Sequence, residues 1–299
     1  MRVLLTGASG GLGAFVLETL LARGVEVVGW SGRKAETRFG VSLSPIDLGD
    51  QAALIERLDA ANADAVLHLA AIASAEEARR NPTRARRINI HATEKIAQWC
   101  SRHDRKLIFT STDMVFDGAR AWNAEEDLAA PILEYARTKL KAEEHVRKCS
   151  RGLVARVALL YGFTKSGRPT FFDRAFNDLK QGKPRAFFED EFRTPLSFEA
   201  AAGILADLIE IDASGTLHVG GRERLSRFDL MRRAAGALGL DAGLVQANRR
   251  DEVGSIEPRP ADLSLDTTKL AKLLPEAPRR NIEESLSAGS FSRAEGSLQ

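Results

Sequence analysis

The chain begins Met1-Arg2-Val3-Leu4-Leu5-Thr6-Gly7-Ala8-Ser9-Gly10-Gly11-Leu12-Gly13, a short apolar strand that runs into a glycine-rich turn. In a strand-turn-helix connection of this spacing, Gly7 permits the tight turn, Gly10 lets backbone approach a phosphate, and Gly13 lets the helix pack closely on the strand. The helix N-terminus then faces the anion. The stretch predicts a dinucleotide-binding turn, and the alternative is a plain strand-to-helix turn. The candidate cofactor contacts in it are Gly7, Ser9, Gly10, Gly11, Leu12 and Gly13.

Outward from this turn, apolar strands alternate with helices through the first half of the chain. Strands are predicted at 3–6, 25–30, 41–46, 65–69, 107–111 and 153–160, and helices at 11–23, 50–58, 82–103 and 133–148. Such alternation indicates a parallel sheet covered on both faces. The predicted fold class is α/β, a Rossmann-like doubly wound parallel sheet with a smaller C-terminal α/β substrate-binding region. We expect a dinucleotide-binding domain at 1–161, which a strand near 215–220 rejoins, and a mainly substrate-binding region at 162–299.

The composition excludes several classes of protein. Charged residues make up 28% of the 299 residues and the net charge is +2, which argues against disorder and against nucleic-acid binding. Two cysteines are too few for a disulfide framework, and no Cys/His cluster has metal-ligand spacing. No apolar run approaches the roughly 20 residues of a membrane span, and the first residues lack the features of a signal peptide. We therefore expect a cytoplasmic protein with no metal and no membrane partner.

The end of the second predicted strand bears on the choice of dinucleotide. It reads Gly29-Trp30-Ser31-Gly32-Arg33, and no acid follows until Glu36. An acid at this point would bind the ribose 2′-hydroxyl and disfavour a 2′-phosphate, whereas Ser31 and Arg33 can bind that phosphate. The sequence thus favours NADPH, with NADH as the alternative. Asp47 and Leu48, after the third strand, are candidates for the adenine edge; Asp47 could equally belong to the N-cap region of the next helix.

Tyr135 and Lys139 form a Tyr-x-x-x-Lys pair in a chain that has only two tyrosines. A free tyrosine has a pKa of about 10, too high for efficient proton transfer at neutral pH, and a nearby cation lowers it. Residues four apart share one face of a helix, so Lys139 is expected to act in this way on Tyr135. Ser111 and Thr112 lie at the end of a predicted strand, where α/β sheets place ligands. They are candidates for a hydroxyl that holds a substrate carbonyl.

Several further segments resemble the extended short-chain dehydrogenases/reductases. His68-Leu69-Ala70-Ala71 follows the fourth predicted strand, and Asn89 lies within Ile88-Asn89-Ile90-His91-Ala92-Thr93. The resemblance implies cofactor contacts by Leu69, Ala70 and Ala71, besides Tyr135 and Lys139. It also implies that Asn89 supports the lysine through a water relay.

The segment Phe109-Thr110-Ser111-Thr112-Asp113-Met114-Val115-Phe116-Asp117-Gly118 is similar to one in dTDP-4-dehydrorhamnose reductases. Met114 replaces a tyrosine of that family. The resemblance implies NADPH-dependent reduction of the 4-keto group of a nucleotide-linked 4-keto-6-deoxysugar. It implies Thr112, Tyr135, Lys139 and Asn89 as the catalytic set. The substrate contacts that it implies are Val115, Phe116, Arg193 and Arg259; for the two arginines the alternative is a salt bridge or a surface charge.

Other functions fit the same scaffold. One is a nucleotide-sugar epimerase or dehydratase with bound NAD. Another is a non-catalytic dinucleotide-binding regulatory subunit, since the β subunit of methionine adenosyltransferase resembles this family. The intact Thr112, Tyr135 and Lys139 argue against a purely regulatory role. The resemblance also suggests a homodimer through the helices at 82–103 and 133–148.

Overall fold

A computed structural model describes residues 1–32, 34–254 and 257–287. Its strands are β1 (Arg2–Thr6), β2 (Glu26–Ser31), β3 (Glu36–Arg38), β4 (Val41–Pro45), β5 (Ala65–His68), β6 (Lys106–Thr112), β7 (Gly152–Val157), β8 (Leu160–Tyr161), β9 (Arg185–Phe188), β10 (Phe192–Arg193), β11 (Leu196–Ser197), β12 (Gly215–Val219), β13 (Leu225–Ser226) and β14 (Val245–Asn248). Its α-helices are α1 (Gly11–Ala22), α2 (Gln51–Ala61), α3 (Ala75–Arg80), α4 (Pro82–Arg86), α5 (Ala92–Arg102), α6 (Glu134–Arg147), α7 (Phe171–Lys180), α8 (Phe198–Glu210), α9 (Arg227–Ala237), α10 (Thr268–Leu273) and α11 (Ile282–Ser287).

Within the described residues, eight strands form one sheet in the order β12-β7-β6-β5-β1-β2-β4-β3. Neighbouring strands pair in parallel except β3, which returns antiparallel to β4. The late strand β12 pairs with β7, so the sheet includes a strand from beyond residue 161. The domain limits at 161 and 162 remain a prediction.

Side-chain alternation along the strands explains why helices cover both faces. In β1, Val3 and Leu5 join one core with α1 and α8, whereas Leu4 joins a second core with α2, α5 and α6. On the first face Phe15 stacks on Phe198, with ring centroids 5.1 Å apart. The predicted α/β, doubly wound parallel sheet is confirmed.

The last third of the described chain adds a smaller α/β layer. Helices α7, α9 and α11 share an apolar cluster that includes Tyr161, Phe172, Leu230 and Ile282. Strands β9 and β14 pair in parallel beside it. Short strands β8 and β11 pair with each other where the chain leaves the main sheet.

Some predicted elements differ from the observed ones. The helix predicted at 82–103 is divided into α4, a π-helical turn at Arg87–His91, and α5. The strand predicted at 153–160 is divided into β7, which ends at Val157, and β8, which begins at Leu160 and pairs with β11. The β3–β4 hairpin was not predicted. Two short helices that were not predicted, α10 and α11, form near the end of the described chain.

Candidate active site

The glycine-rich turn has no room for side chains at its two ends. Gly7 has φ +71°, and a Cβ there would lie 2.8 Å from the Ala70 nitrogen. A Cβ on Gly13 would lie 2.0 Å from the Gly7 carbonyl oxygen. Between them Gly10 donates its N–H to the Gly7 carbonyl, and α1 begins at Gly11. This bare backbone at a helix N-terminus fits the diphosphate of a dinucleotide, with Ser9 half-buried beside it.

A chain of hydrogen bonds fixes this turn to the neighbouring strand end. The Thr6 hydroxyl accepts the N–H groups of Leu69 and Ala70, at 3.2 and 3.1 Å, so its own hydrogen points to Nδ1 of His68, 2.7 Å away. His68 then donates from Nε2 to Thr93, 2.9 Å away. Thr93 in turn donates to the backbone carbonyl of Asn89. Burial lowers the pKa of His68 to about 3, so its ring stays neutral and holds this tautomer. Ala71 follows directly after this fixed segment.

The adenosine end of the predicted cofactor site is only partly described. The Ser31 hydroxyl donates to the Lys34 carbonyl at 2.7 Å. Arg33 lies outside the described residues. The Asp47 carboxylate accepts the Gly49 N–H at 2.8 Å, while Asp50 is the N-cap of α2. Leu48 is buried in the core of the second face, and its side chain packs there.

A cavity of about 870 Å³ lies beside the glycine-rich turn. Of the predicted site residues, those that line it are Leu12, Ser111, Thr112, Tyr135, Arg193 and Arg259. Met114, which replaces a tyrosine of the family segment, lines it too, and further lining residues that sequence reasoning missed as site residues are Asp113, Glu191, Phe198 and Arg227. The cavity therefore joins strand ends of the main sheet to the C-terminal layer.

Tyr135 is protonated at neutral pH in this structure. Burial raises the pKa of Tyr135 above its usual range, and the Asp113 carboxylate raises it further. A hydrogen bond with Thr112 acts in the opposite direction. Tyr135 is half-buried and lines the cavity.

Lys139 is not among the groups that shift the pKa of Tyr135 in this structure, and its action on the phenol stays a prediction. Burial lowers the pKa of Lys139 to about 7, although the Glu143 carboxylate opposes the shift. The Lys139 ammonium lies 4.0 Å from the ring centroid of Phe109.

Asn89 is fixed by three hydrogen bonds at the π-helical turn. Its Oδ1 accepts the Ile72 N–H at 2.8 Å, and its Nδ2 donates to the Ile72 carbonyl at 3.1 Å and to Thr138 at 2.9 Å. Thr138 donates to the Tyr135 carbonyl at 2.6 Å. The described residues thus connect Asn89 to α6 directly through Thr138, where the resemblance implied a water relay to Lys139.

Only one of the two candidate hydroxyls is available to a ligand. Ser111 donates to Glu143 at 2.6 Å, and Arg156 holds the same buried carboxylate at 3.1 and 2.9 Å. Thr112 accepts the Met114 N–H and donates to Asp113, both at 3.2 Å, and it lines the cavity. The bond to Asp113 is long, so this hydroxyl is the one that can turn to a substrate oxygen.

The predicted substrate contacts by Val115 and Phe116 are corrected. Both side chains are buried in an apolar cluster with Leu263 and Leu265. The 3₁₀ turn at Asp113–Val115 instead leaves Met114 on the cavity wall. The sequence of this segment does not reveal the 3₁₀ turn. The turn directs Val115 into the apolar cluster and leaves Met114 at the cavity.

The far wall of the cavity carries three arginines in different charge environments. Arg193 is buried, with Nε 3.4 Å from Asp113 and Nη2 3.3 Å from Glu191. Arg259 lies 3.4 Å from the other Glu191 oxygen. Arg227 lies over the Phe171 ring, 4.1 Å from its centroid. Arg227 follows the N-cap Ser226, and the sequence alone gives no sign that this helix start meets the cavity.

Two further properties of the described residues concern metal ions and membranes. Among them, no group of three or more His, Cys, Asp or Glu side chains is arranged to hold a metal ion. No helix formed by these residues has the length and apolar character needed to cross a membrane.

Comparison with known proteins identifies related chains over nearly the full length. A model of the RmlD substrate binding domain matches residues 1–288. The chain is 31% identical to the "Probable low-salt glycan biosynthesis reductase Agl14" of Haloferax volcanii, over 90% of this chain and 91% of that one. It is 27% identical to methionine adenosyltransferase 2 subunit beta of Rattus norvegicus, over 91% of this chain and 82% of that one.

Solved structures agree with the fold. A hypothetical dTDP-4-dehydrorhamnose reductase from Sulfolobus tokodaii superposes with a TM-score of 0.83 at 29% identity, covering 95% of this chain and 98% of that one. The dTDP-4-dehydrorhamnose reductase of Bacillus anthracis in complex with NADP superposes with a TM-score of 0.82 at 21% identity, covering 96% and 97%.

Proposed function

Because the chain belongs to the RmlD substrate binding domain family, within the extended short-chain dehydrogenases/reductases, we propose that it reduces a nucleotide-linked 4-keto-6-deoxysugar at its 4-keto group. The observation that carries the proposal is the single cavity shared by Leu12 of the glycine-rich turn, the hydroxyls of Thr112 and Tyr135, and the arginine wall. A ketone in this cavity meets a proton donor on one side, and cations that suit the nucleotide diphosphate of the same substrate lie on the other side.

Tyr135 is the proton donor of the proposed reaction. Its raised pKa keeps it protonated, which is the state that a carbonyl reduction requires. As the substrate oxygen gains negative charge, Tyr135 gives it the proton and Thr112 donates a hydrogen bond to the same atom. A reduced nicotinamide supplies the hydride when it is bound. Lys139 then carries the cation that stabilises the tyrosinate, and the Asn89–Thr138 pair holds the first turns of α6 in position.

We propose NADPH as the cofactor, with NADH as the weaker alternative. The bare backbone of the glycine-rich turn supports a dinucleotide, and the sequence Ser31-Gly32-Arg33 supports a 2′-phosphate. Leu69 and Ala70 lie next to Gly7, and together with Ala71, the next residue along the chain, they would flank the dinucleotide.

The test is a panel of nucleotide 4-keto-6-deoxysugars, each assayed with NADPH and with NADH at the nicotinamide absorbance. We expect oxidation of NADPH with at least one member, and a lower kcat/KM with NADH. If no member is reduced and the purified protein instead carries tightly bound NAD and inverts a sugar centre, the epimerase or dehydratase alternative replaces the proposal.

A regulatory role is the second candidate, because the chain is 27% identical to methionine adenosyltransferase 2 subunit beta over 91% of its length. That role needs the dinucleotide turn but not a proton donor. Copurification with a methionine adenosyltransferase catalytic subunit, together with no NADPH oxidation on any keto-sugar, would favour it.

We also propose a cytoplasmic location and a homodimer through the helices at 82–103 and 133–148. The outward side of these helices carries ion pairs such as Arg86–Glu134 and Lys141–Glu144. A contact between two copies through these helices would be polar, and salt would screen it. Sedimentation at two salt concentrations, which measures the fraction of dimer, would test it.

A further inference from the structure

Arg227 is a cation on the cavity wall without an anionic partner. It is the first residue of α9, and its guanidinium carbon lies 4.1 Å from the centroid of the Phe171 ring. Among the described residues, no ion pair or side-chain hydrogen bond joins this guanidinium to a carboxylate. Its five N–H donors are aimed in a fixed fork that matches a phosphate or carboxylate. A desolvated guanidinium of this kind is costly unless a ligand supplies the charge.

The other two arginines of the wall are already neutralised. Arg193 lies between Asp113 and Glu191, at 3.4 and 3.3 Å, and Arg259 shares Glu191 at 3.4 Å. These two carboxylates and two guanidiniums balance one another. The charged groups that act on Arg227 are these same four, and burial lowers the pKa of Arg227 to about 10. Arg227 therefore stays protonated at neutral pH. Its positive charge is the one that Asp113 and Glu191 leave unbalanced among the three arginines of the wall.

The position of Arg227 separates it from the glycine-rich turn and from Tyr135. Tyr135 bonds to Thr112, Thr112 to Asp113, Asp113 pairs with Arg193, and Arg193 with Glu191. Arg227 is the last residue in this row of contacts, because its backbone N–H donates to the Glu191 carbonyl at 3.0 Å. A sugar that places its ketone at Tyr135 would extend along this row, so its anionic substituent would arrive at Arg227.

We propose that Arg227 binds the diphosphate of the nucleotide-sugar substrate, in place of the Arg193 contact that the family resemblance implied. The inference rests on the proposed function, because it takes the sugar nucleotide as the ligand. A diphosphate supplies the negative charge that the wall lacks, and its oxygens match the guanidinium fork. Arg193 instead shapes the sugar-facing wall as part of a balanced ion-pair row.

Calorimetry with thymidine diphosphate, in protein saturated with NADP, tests the proposal. Arg227→Met should weaken thymidine diphosphate binding by roughly 30-fold or more, as expected when one partner of a desolvated charge pair is removed. Arg227→Lys should lie between this variant and the wild type, because it keeps the charge and loses the fork. Binding of unphosphorylated thymidine, and of NADPH to the unloaded protein, should stay unchanged in both variants.

Arg232→Met is the matched control. Arg232 lies on the same helix, is exposed, and has its guanidinium 6.0 Å from the Phe228 ring centroid. It does not line the cavity. Its removal should leave thymidine diphosphate binding at the wild-type value, and melting curves of all variants should show that they are folded.

The outcomes separate this inference from the proposed reaction. Wild-type affinity for thymidine diphosphate in a folded Arg227→Met, or in Arg227→Lys if the methionine variant does not fold, overturns the assignment, even if keto-sugars are reduced. A wild-type protein that binds neither thymidine nor uridine diphosphate overturns it as well. A strong loss of diphosphate binding in Arg227→Met supports the assignment even if no keto-sugar is reduced, and the reaction alone is then wrong.

Discussion

Tyr135 and Lys139 show how one environment sets two pKa values in opposite directions. Burial raises the pKa of the phenol and lowers that of the ammonium to about 7. Both shifts favour the neutral forms, because desolvation penalises charge of either sign. The protein therefore begins the proposed reaction with a proton donor in place and a lysine that can accept or release a proton near neutral pH.

Replacing Tyr135 by phenylalanine should lower kcat by roughly 10²-fold or more, because the carbonyl oxygen loses its proton donor. The NADPH dissociation constant should change little. Tyr161→Phe is the matched control, since Tyr161 is the other tyrosine of the chain, is buried, and does not line the cavity. Full turnover in Tyr135→Phe, or an equal loss in both variants, would refute the assigned role.

Replacing Lys139 by methionine should change how stability depends on pH. The folded pKa of Lys139 is lowered from 10.5 to about 7, so the unfolded chain binds the proton more tightly between these values. The cost of burying the ammonium is complete below about pH 7 and vanishes as the pH approaches 10.5. The unfolding free energy of the wild type should therefore rise relative to that of Lys139→Met across this window, by roughly a few kcal/mol.

Urea unfolding of both proteins at several pH values measures this difference. Lys141→Met is the control, because Lys141 is exposed on the same helix. Its curve should run parallel to that of the wild type. A parallel curve for Lys139→Met as well would mean that Lys139 is not desolvated in the folded protein.

The sequence predicted some site residues and missed others for physical reasons. Tyr135 and Thr112 were found because helix spacing and strand ends fix where such side chains lie, and both line the cavity. Arg227 and Asp113 were missed because their roles depend on charges that come from remote segments. Val115 and Phe116 were misplaced because the resemblance carried a segment over without its turn.

Two irregular elements hold the candidate cofactor site. One is the glycine-rich turn before α1, and the other is the π-helical turn between α4 and α5. In the glycine-rich turn, the Gly10 N–H donates to the Gly7 carbonyl. The π-helical turn at Arg87–His91 places the Asn89 amide where it forms hydrogen bonds with Ile72 and Thr138. Periodicity predicted the parallel strands and their helices well, since each buries a continuous apolar face. It could not predict the π-helical turn, because one inserted residue leaves the flanking helical pattern almost unchanged.

Replacing Gly13 by alanine should destabilise the protein by about 1–3 kcal/mol and weaken NADPH binding, because the new Cβ meets backbone and the turn must shift. Gly236→Ala is the matched control. Gly236 lies in α9, is exposed, and a Cβ there meets open space. That change should stabilise the protein by about 0.5–1 kcal/mol. Chemical denaturation compares the two, and a neutral Gly13→Ala would contradict the closeness of the turn.

A buried ion-pair network links α6 to three strands of the main sheet, β6, β7 and β12. The Glu143 carboxylate of α6 accepts from Ser111 of β6 and from Arg156 of β7. Nη1 of Arg156 also lies 3.5 Å from Nε2 of His218 in β12. The backbone N–H of His218 donates to the Glu125 carboxylate. The network thus joins the main sheet, its late strand and the helix that carries Tyr135.

Arg156→Met should destabilise the protein by about 3–5 kcal/mol, because it leaves the Glu143 carboxylate buried with one fewer cation. Arg147→Met removes the other arginine on the same carboxylate, but Arg147 is 36% exposed, so its loss should cost less than about 1 kcal/mol. Urea denaturation of both variants measures the difference. Equal losses would mean that burial of the pair does not set its contribution.

The pairing of β12 with β7 also governs how the protein can be made in the cell. During translation β7 emerges well before β12, so one border of the sheet stays unpaired while the ribosome adds the intervening segment. Synthesis runs at about 5–20 residues per second, so this border is open for seconds, long enough for chaperones to bind. A gene cut after codon 161 would keep it open permanently, and its product should aggregate.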